Sequence, residues 1–214
     1  MEGKLKAIIK FWDDYAPEFD EAHATENLVV WKAALVELIG QDPNQKVLDV
    51  GTGTGFLAKL LAEVGYAATG VDMAVEMLKI AREDTASKGL NVTYMEAAVE
   101  SMPFDDNCFD AVVNCRLVWT LTDPQLAFGE WLRILKPGGK LFSFIRLKDG
   151  RDTNITTVYG EELDHQLPLK NAGADELMLE YEKTGFTDCS AVELSSELTT
   201  KGDYSPWYVI IGKK

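Results

Sequence analysis

Two hydrophobic rhythms alternate along residues 46–145. Lys46-Val47-Leu48-Asp49-Val50 is a short β-branched run that stops at a glycine cluster. Leu57, Leu60, Leu61 and Val64 then recur at the spacing of one helix face. Residues 67–71 predict a second strand, and Ala74, Met77, Leu78 and Ala81 a second amphipathic helix. Residues 91–95 and 109–113 predict strands three and four. Ala127, Trp131, Ile134 and Leu135 mark a third helix, which Pro137-Gly138-Gly139 ends. Residues 140–145 predict a fifth strand. Strands alternating with helices imply βαβ units, a parallel sheet and helices on both of its faces.

Two flanks remain. Residues 1–45 carry two helical patterns, the second with Leu28, Trp31, Leu35 and Leu38 facing one way. Residues 146–214 hold a polar stretch, a helix near 174–183 and two strand-like runs. The last run, Trp207-Tyr208-Val209-Ile210-Ile211, is rich in β-formers.

Composition narrows the function. A chain of 214 residues fits one domain. Its net charge of −14 opposes docking on a phosphate backbone and favours a cationic ligand. No run reaches the roughly 18 apolar residues of a spanning helix, and the charged first fifteen positions lack a signal-peptide core. Cys108, Cys115 and Cys189 lack CxxC spacing, so free thiols in the cytoplasm are expected. His23 and His165 lie far apart, and a zinc site is not expected.

The most informative segment is Asp49-Val50-Gly51-Thr52-Gly53-Thr54-Gly55. Alternate glycines between a strand and a helix let a ligand approach the main chain closely. Asp72 ends the second strand, 21 residues beyond Gly51, where a carboxylate accepts both hydroxyls of a ribose. An adenosine ligand follows. The spacing is GxGxG rather than GxGxxG, and Asp49 would repel a pyrophosphate. S-adenosylmethionine has no phosphate and carries a sulfonium and an ammonium, which suit the carboxylate.

With Asp49 to Gly55 and Asp72, the segments Met102-Pro103-Phe104, Phe109-Asp110 and Leu135-Lys136-Pro137-Gly138-Gly139 resemble the class I S-adenosylmethionine-dependent methyltransferases. The likeness runs from about Phe11 onward. It is greatest to the small branch with the ubiquinone/menaquinone-type enzymes. The resemblance implies a Rossmann-like, doubly wound, mostly parallel sheet of seven strands in the order 3-2-1-4-5-7-6, with strand 7 antiparallel. It also implies one unit over residues 1–214: a helical lid (1–45), a cofactor core (46–145), and an acceptor-side flap with the final strands (146–214).

Roles follow by position. Gly51 and Gly53 would line the methionine part of the cofactor, with Thr52 between them. Asp72 would hold the ribose and Met73 would pack on the adenine. Ala98 stands where the family often has an Asp for the adenine amino group, so the Val99 backbone or the Glu100 carboxylate would substitute. Tyr15, in the segment Trp12 to Asp20, matches a tyrosine near the cofactor carboxylate. Asp49, and Asn114 after the fourth strand, complete the expected cofactor set.

Methyl transfer needs alignment more than a triad, and no catalytic residue is assigned. Acceptor-side candidates are His23, Arg116, Trp119 and Arg146, with Tyr159 behind them. Each has a plainer reading: a solvent-exposed or capping histidine, an ion-paired arginine, a core tryptophan. The Cys115 thiol is read as buried and inert. The expected partner is a small-molecule acceptor, with neither nucleic acid nor membrane, and monomer or homodimer stays open. A protein methyltransferase and a non-catalytic cofactor-binding module remain alternatives. A nicotinamide dehydrogenase is disfavoured by the glycine spacing and Asp49.

Overall fold

Crossover helices separate the first strands as the two rhythms require. A computed structural model describes residues 2–22, 24–148, 151–152, 158–199 and 206–214. His23 lies outside the described residues, as does some of the expected flap. Two helices come first, α1 (Glu2–Ala22) and α2 (Leu28–Ile39). Then β1 (Lys46–Val50), α3 (Phe56–Glu63), β2 (Ala67–Asp72), α4 (Val75–Ser87), β3 (Val92–Glu96) and β4 (Phe109–Cys115) alternate. They are followed by α5 (Pro124–Ile134), β5 (Leu135–Lys148), β6 (Arg151–Asp152), α6 (Glu161–Asp164), α7 (Ala174–Thr184), β7 (Thr187–Glu193) and β8 (Trp207–Lys213).

The sheet runs β3-β2-β1-β4-β5-β8-β7. β1 to β5 are mutually parallel, and β8 lies antiparallel between β5 and β7. Setting aside the two-residue β6, which pairs only with the end of β5, this is the expected order. β5 begins at Leu135, earlier than the expected 140. Leu135 pairs with Phe109, and regular pairing resumes at Ala111 and Lys140 after an irregularity. The break accommodates Pro137, which has no N–H to give a ladder.

Side-chain alternation divides the core between the two faces. Leu48, Val50 and Val112 pack with Phe128, Trp131 and Tyr181 of α5 and α7. Val47, Ala111 and Val113 pack on the other face with Trp31, Leu57 and Leu61 of α2 and α3. Trp31 and Leu35 are buried, but Leu28 is 46% exposed. It is the first helical residue after the Asn27 cap, before the apolar face turns inward. α5 starts as expected: Asp123 accepts from the Leu126 N–H at 3.1 Å, with Pro124 in the first turn.

α1 keeps its apolar residues on one stripe through Leu5, Ile8, Trp12, Tyr15, Ala16 and Phe19. Ala16 packs on Ala74 and Met77 in a small separate cluster. Two acidic side chains add to this. Asp13 accepts from the Glu76 N–H at 2.9 Å, serving the start of α4, whose own N-cap position is Ala74. Asp20 accepts from the Thr54 hydroxyl at 2.6 Å. α1 thus lies over the carboxyl ends of the strands, where the order reverses between β1 and β4, the usual ligand crevice of such sheets. No helix among the described residues is long and apolar enough to cross a membrane.

Candidate active site

The loop after β1 is shaped by its glycines. Gly51, Gly53 and Gly55 take φ of +65°, +54° and +83°, a region that side chains disfavour. The Thr52 N–H donates to the Val71 carbonyl at 2.9 Å, tying the loop to β2. Asp49 is 2% exposed and accepts from the Thr52 hydroxyl (2.6 Å) and the Ala58 N–H (3.0 Å). Gly55 has no side chain to cap α3, so a carboxylate from β1 does it. Burial raises the Asp49 pKa from 3.8 to about 7.

Asp72 closes the other side. It accepts from the Gly53 N–H (2.8 Å) and the Ala74 N–H (2.9 Å). A carboxylate has about four acceptor positions, so it retains capacity for a diol. Burial raises its pKa as well.

These groups border a cavity of about 340 Å³. Gly51, Gly53, Asp72, Met73, Val99 and Glu100 line one side. The loop after β4 adds Cys115, Arg116, Leu117 and Trp119, and α1 adds Ile8, Phe11, Trp12, Tyr15 and Phe19. The Val99 carbonyl is held by the Trp131 indole N–H at 3.0 Å. Glu100 is pushed up by burial, with Asp123 nearby. Cys115 is pushed up to about 12 by burial, so its thiol stays protonated and inert.

Tyr15, Gly51, Gly53, Asp72, Met73, Val99, Arg116 and Trp119 therefore meet around one space. Other expected residues lie off its wall. Asn114 is fully buried, and its amide donates to the Ser143 hydroxyl at 2.7 Å. The Thr52 hydroxyl is spent on Asp49, and Asp49 sits beneath the loop. Ala98 forms an isolated bridge with Ser101. Arg146 stacks over Trp207, 5.4 Å from the ring centroid. Of the residues on the wall, Arg116 also forms an ion pair with Glu26. Tyr159 stacks on Trp119 at 5.7 Å and meets Phe11 edge-on at 5.2 Å. The α1 residues Ile8, Phe11 and Phe19 were missed as site residues. Their stripe was visible in the sequence, but not what it would cover.

The sequence model of a methyltransferase domain matches residues 48–143. A demethylmenaquinone methyltransferase of Renibacterium salmoninarum is 31% identical over 171 residues, 78% of this chain and 70% of that protein. The chain belongs to the class I S-adenosylmethionine-dependent methyltransferases. A ubiquinone/menaquinone biosynthesis C-methyltransferase of Shewanella halifaxensis is 39% identical over 118 residues, covering 52% of this chain and 47% of that protein. That alignment spans about half of the relative's length. A Thermotoga maritima S-adenosylmethionine-dependent methyltransferase, described as a possible histamine N-methyltransferase, shares the fold. Its TM-score is 0.68 at 23% identity, with 96% of this chain and 99% of that one covered.

The cofactor of this methyltransferase is S-adenosylmethionine, and the residues present fit it. Gly53 leaves its main chain open, since an added Cβ would meet only the Met77 sulfur at 4.0 Å. We propose that Asp72 holds the ribose, Met73 and Val99 flank the adenine, and Glu100 replaces the acid missing at Ala98.

Asp49 gives a pH prediction. Its folded pKa of about 7 exceeds the ordinary 3.8. The stability it contributes is thus fully present below the ordinary value and lost as pH rises through about 7. A cationic ligand favours the ionised form, so cofactor binding should release a proton near neutrality. Calorimetry should show affinity rising severalfold from about pH 6 to 8, with Asp49→Asn flattening the profile. An equally steep profile in the variant would refute the assignment.

Proposed function

We propose that this methyltransferase acts in the cytoplasm on a planar, apolar small molecule, with a reduced quinone ring as the model acceptor. The aromatic wall carries the reading. Phe11, Trp12 and Trp119 share one cavity with Gly51 and Asp72. Flat rings pack edge-on or offset against such side chains. The names of the Renibacterium and Shewanella relatives point the same way. The free thiols of Cys108, Cys115 and Cys189 suit a reducing compartment.

The cofactor supplies a methyl group activated by its positive sulfur. The chain supplies alignment and exclusion of water, and alignment alone contributes roughly 7–11 kcal/mol. In this reading α1 is the lid. It is held by the small Ala16 cluster, by the two latches at Asp13 and Asp20, and by Phe11 and Trp12 packing edge-on against Tyr159 and Trp119. Residues 1–214 then act as one unit, since β7 and β8 extend the same sheet beyond β5.

The test is transfer of a labelled methyl from S-adenosylmethionine to reduced naphthoquinones, simple amines and a protein extract. Label is expected in the reduced quinone. Label confined to amines or protein would overturn the acceptor class. No transfer despite cofactor binding would favour a non-catalytic module.

A further inference from the structure

The turn between α6 and α7 carries a lysine between apolar neighbours, Leu167, Leu169 and Ala172, all of them buried. Such a lysine ordinarily reaches for water. Lys170 instead turns inward: its Nζ lies 4.1 Å from the Trp119 ring centroid and 5.7 Å from that of Tyr159. Trp119 lines the cavity with Gly51 and Asp72, and Lys170 is not on that wall. We propose that Lys170 is a positioning residue that sets acceptor preference, its charge behind the aromatic wall favouring an ionised ring hydroxyl. The inference rests on the aromatic acceptor proposed above and names the group on it that is recognised.

The charge is held in place. The Lys170 side chain is 6% exposed and lies 3.4 Å from the Asp164 carboxylate, which is 8% exposed. Asp164 also accepts from the Val158 N–H (2.7 Å) and the Tyr159 N–H (3.3 Å) through different oxygens. One carboxylate thus fixes Lys170, Val158 on the cavity wall, and Tyr159 stacked on Trp119. Buried ion pairs are weak devices for stability, because apolar side chains of similar volume often hold a core as well. Trp119 adds a second observation. Its Nε1 is buried and has no hydrogen-bond partner among the described residues, although a buried unpaired donor is costly. A donor and a cation on one indole both suit an oxygen that carries negative charge. The other charged groups nearby do not replace Lys170. On the cavity wall Asp72 and Glu100 oppose an anion, and Arg116 is paired with Glu26. On its outer side Glu161, His165, Glu176 and Glu180 line a groove with Lys170 and Asp164. The hydroxyl proton leaves to solvent, and the ionised ring is the more electron-rich partner for a methyl group.

The probe is 4-nitrophenol, whose colour reports its ionisation, titrated on the complex of the protein with S-adenosylhomocysteine. Nitrobenzene, which has the ring but no hydroxyl, is the control. Bound 4-nitrophenol is expected to ionise about one pH unit higher in Lys170→Met than in the parent. Lys170→Arg keeps the charge and should keep the parent midpoint. Because Lys170→Met strands a buried Asp164, the pair Lys170→Met with Asp164→Asn is measured alongside, and its midpoint should fall between the two. Nitrobenzene affinity should stay within about twofold of the parent throughout. One midpoint shared by the parent and Lys170→Met would overturn the proposal. Equal losses of nitrobenzene and 4-nitrophenol binding in the variants would mean a structural role and overturn it as well. A parent complex that binds neither ring would instead remove the aromatic acceptor on which the proposal rests.

Discussion

Asp72→Asn is expected to weaken S-adenosylhomocysteine binding by about 100-fold, read by calorimetry. Hydrogen bonds to a charged group contribute about 1.5–3 kcal/mol each, and the proposed ribose diol makes two. The substitution also acts within the protein. Asp72 accepts from Gly53 and Ala74 through different oxygens. An asparagine has one acceptor oxygen and would turn its N–H₂ toward one of these donors. The glycine loop and the start of α4 would therefore lose a shared anchor. Unchanged affinity in a folded Asp72→Asn variant would remove Asp72 from the ligand.

Trp131→Ala is expected to be the most destabilising single change. The side chain is fully buried in α5, edge-on to Phe128 with centroids 5.2 Å apart. Truncating a buried tryptophan costs about 3–5 kcal/mol, a large part of the roughly 5–15 kcal/mol available to a domain. Melting should fall by about 6–20 °C. Trp131→Phe keeps most of the packing but leaves the Val99 carbonyl without its donor. Its melting should change less, while cofactor affinity falls severalfold because Val99 loses its fixed position. A melting temperature within about 2 °C of the parent for Trp131→Ala would contradict this placement.

The sheet and the cofactor loop were legible because their signals are local. A β-branched run, alternate glycines and an acid at the next strand end can be read from neighbours alone. Asp49 was legible as a residue of the loop but not in its role. It caps α3 nine residues downstream, because Gly55 offers no side chain at the usual position. Asn114 misled for a related reason. It lies at the right strand end, but its face of β4 points into the core, toward Ser143. Arg116 and Glu26 are 90 residues apart, and only the folded chain joins them. The aromatic stripe of α1 announced a helix with a buried face, but nothing in its spacing says that the buried face covers the cofactor.

The most direct test is a crystal structure of this methyltransferase with S-adenosylhomocysteine. Both ribose hydroxyls should lie on Asp72, the adenine between Met73 and Val99, and the sulfur toward Trp12 and Trp119. A ribose turned away from Asp72, or a ligand seated outside the cavity beneath α1, would contradict the account.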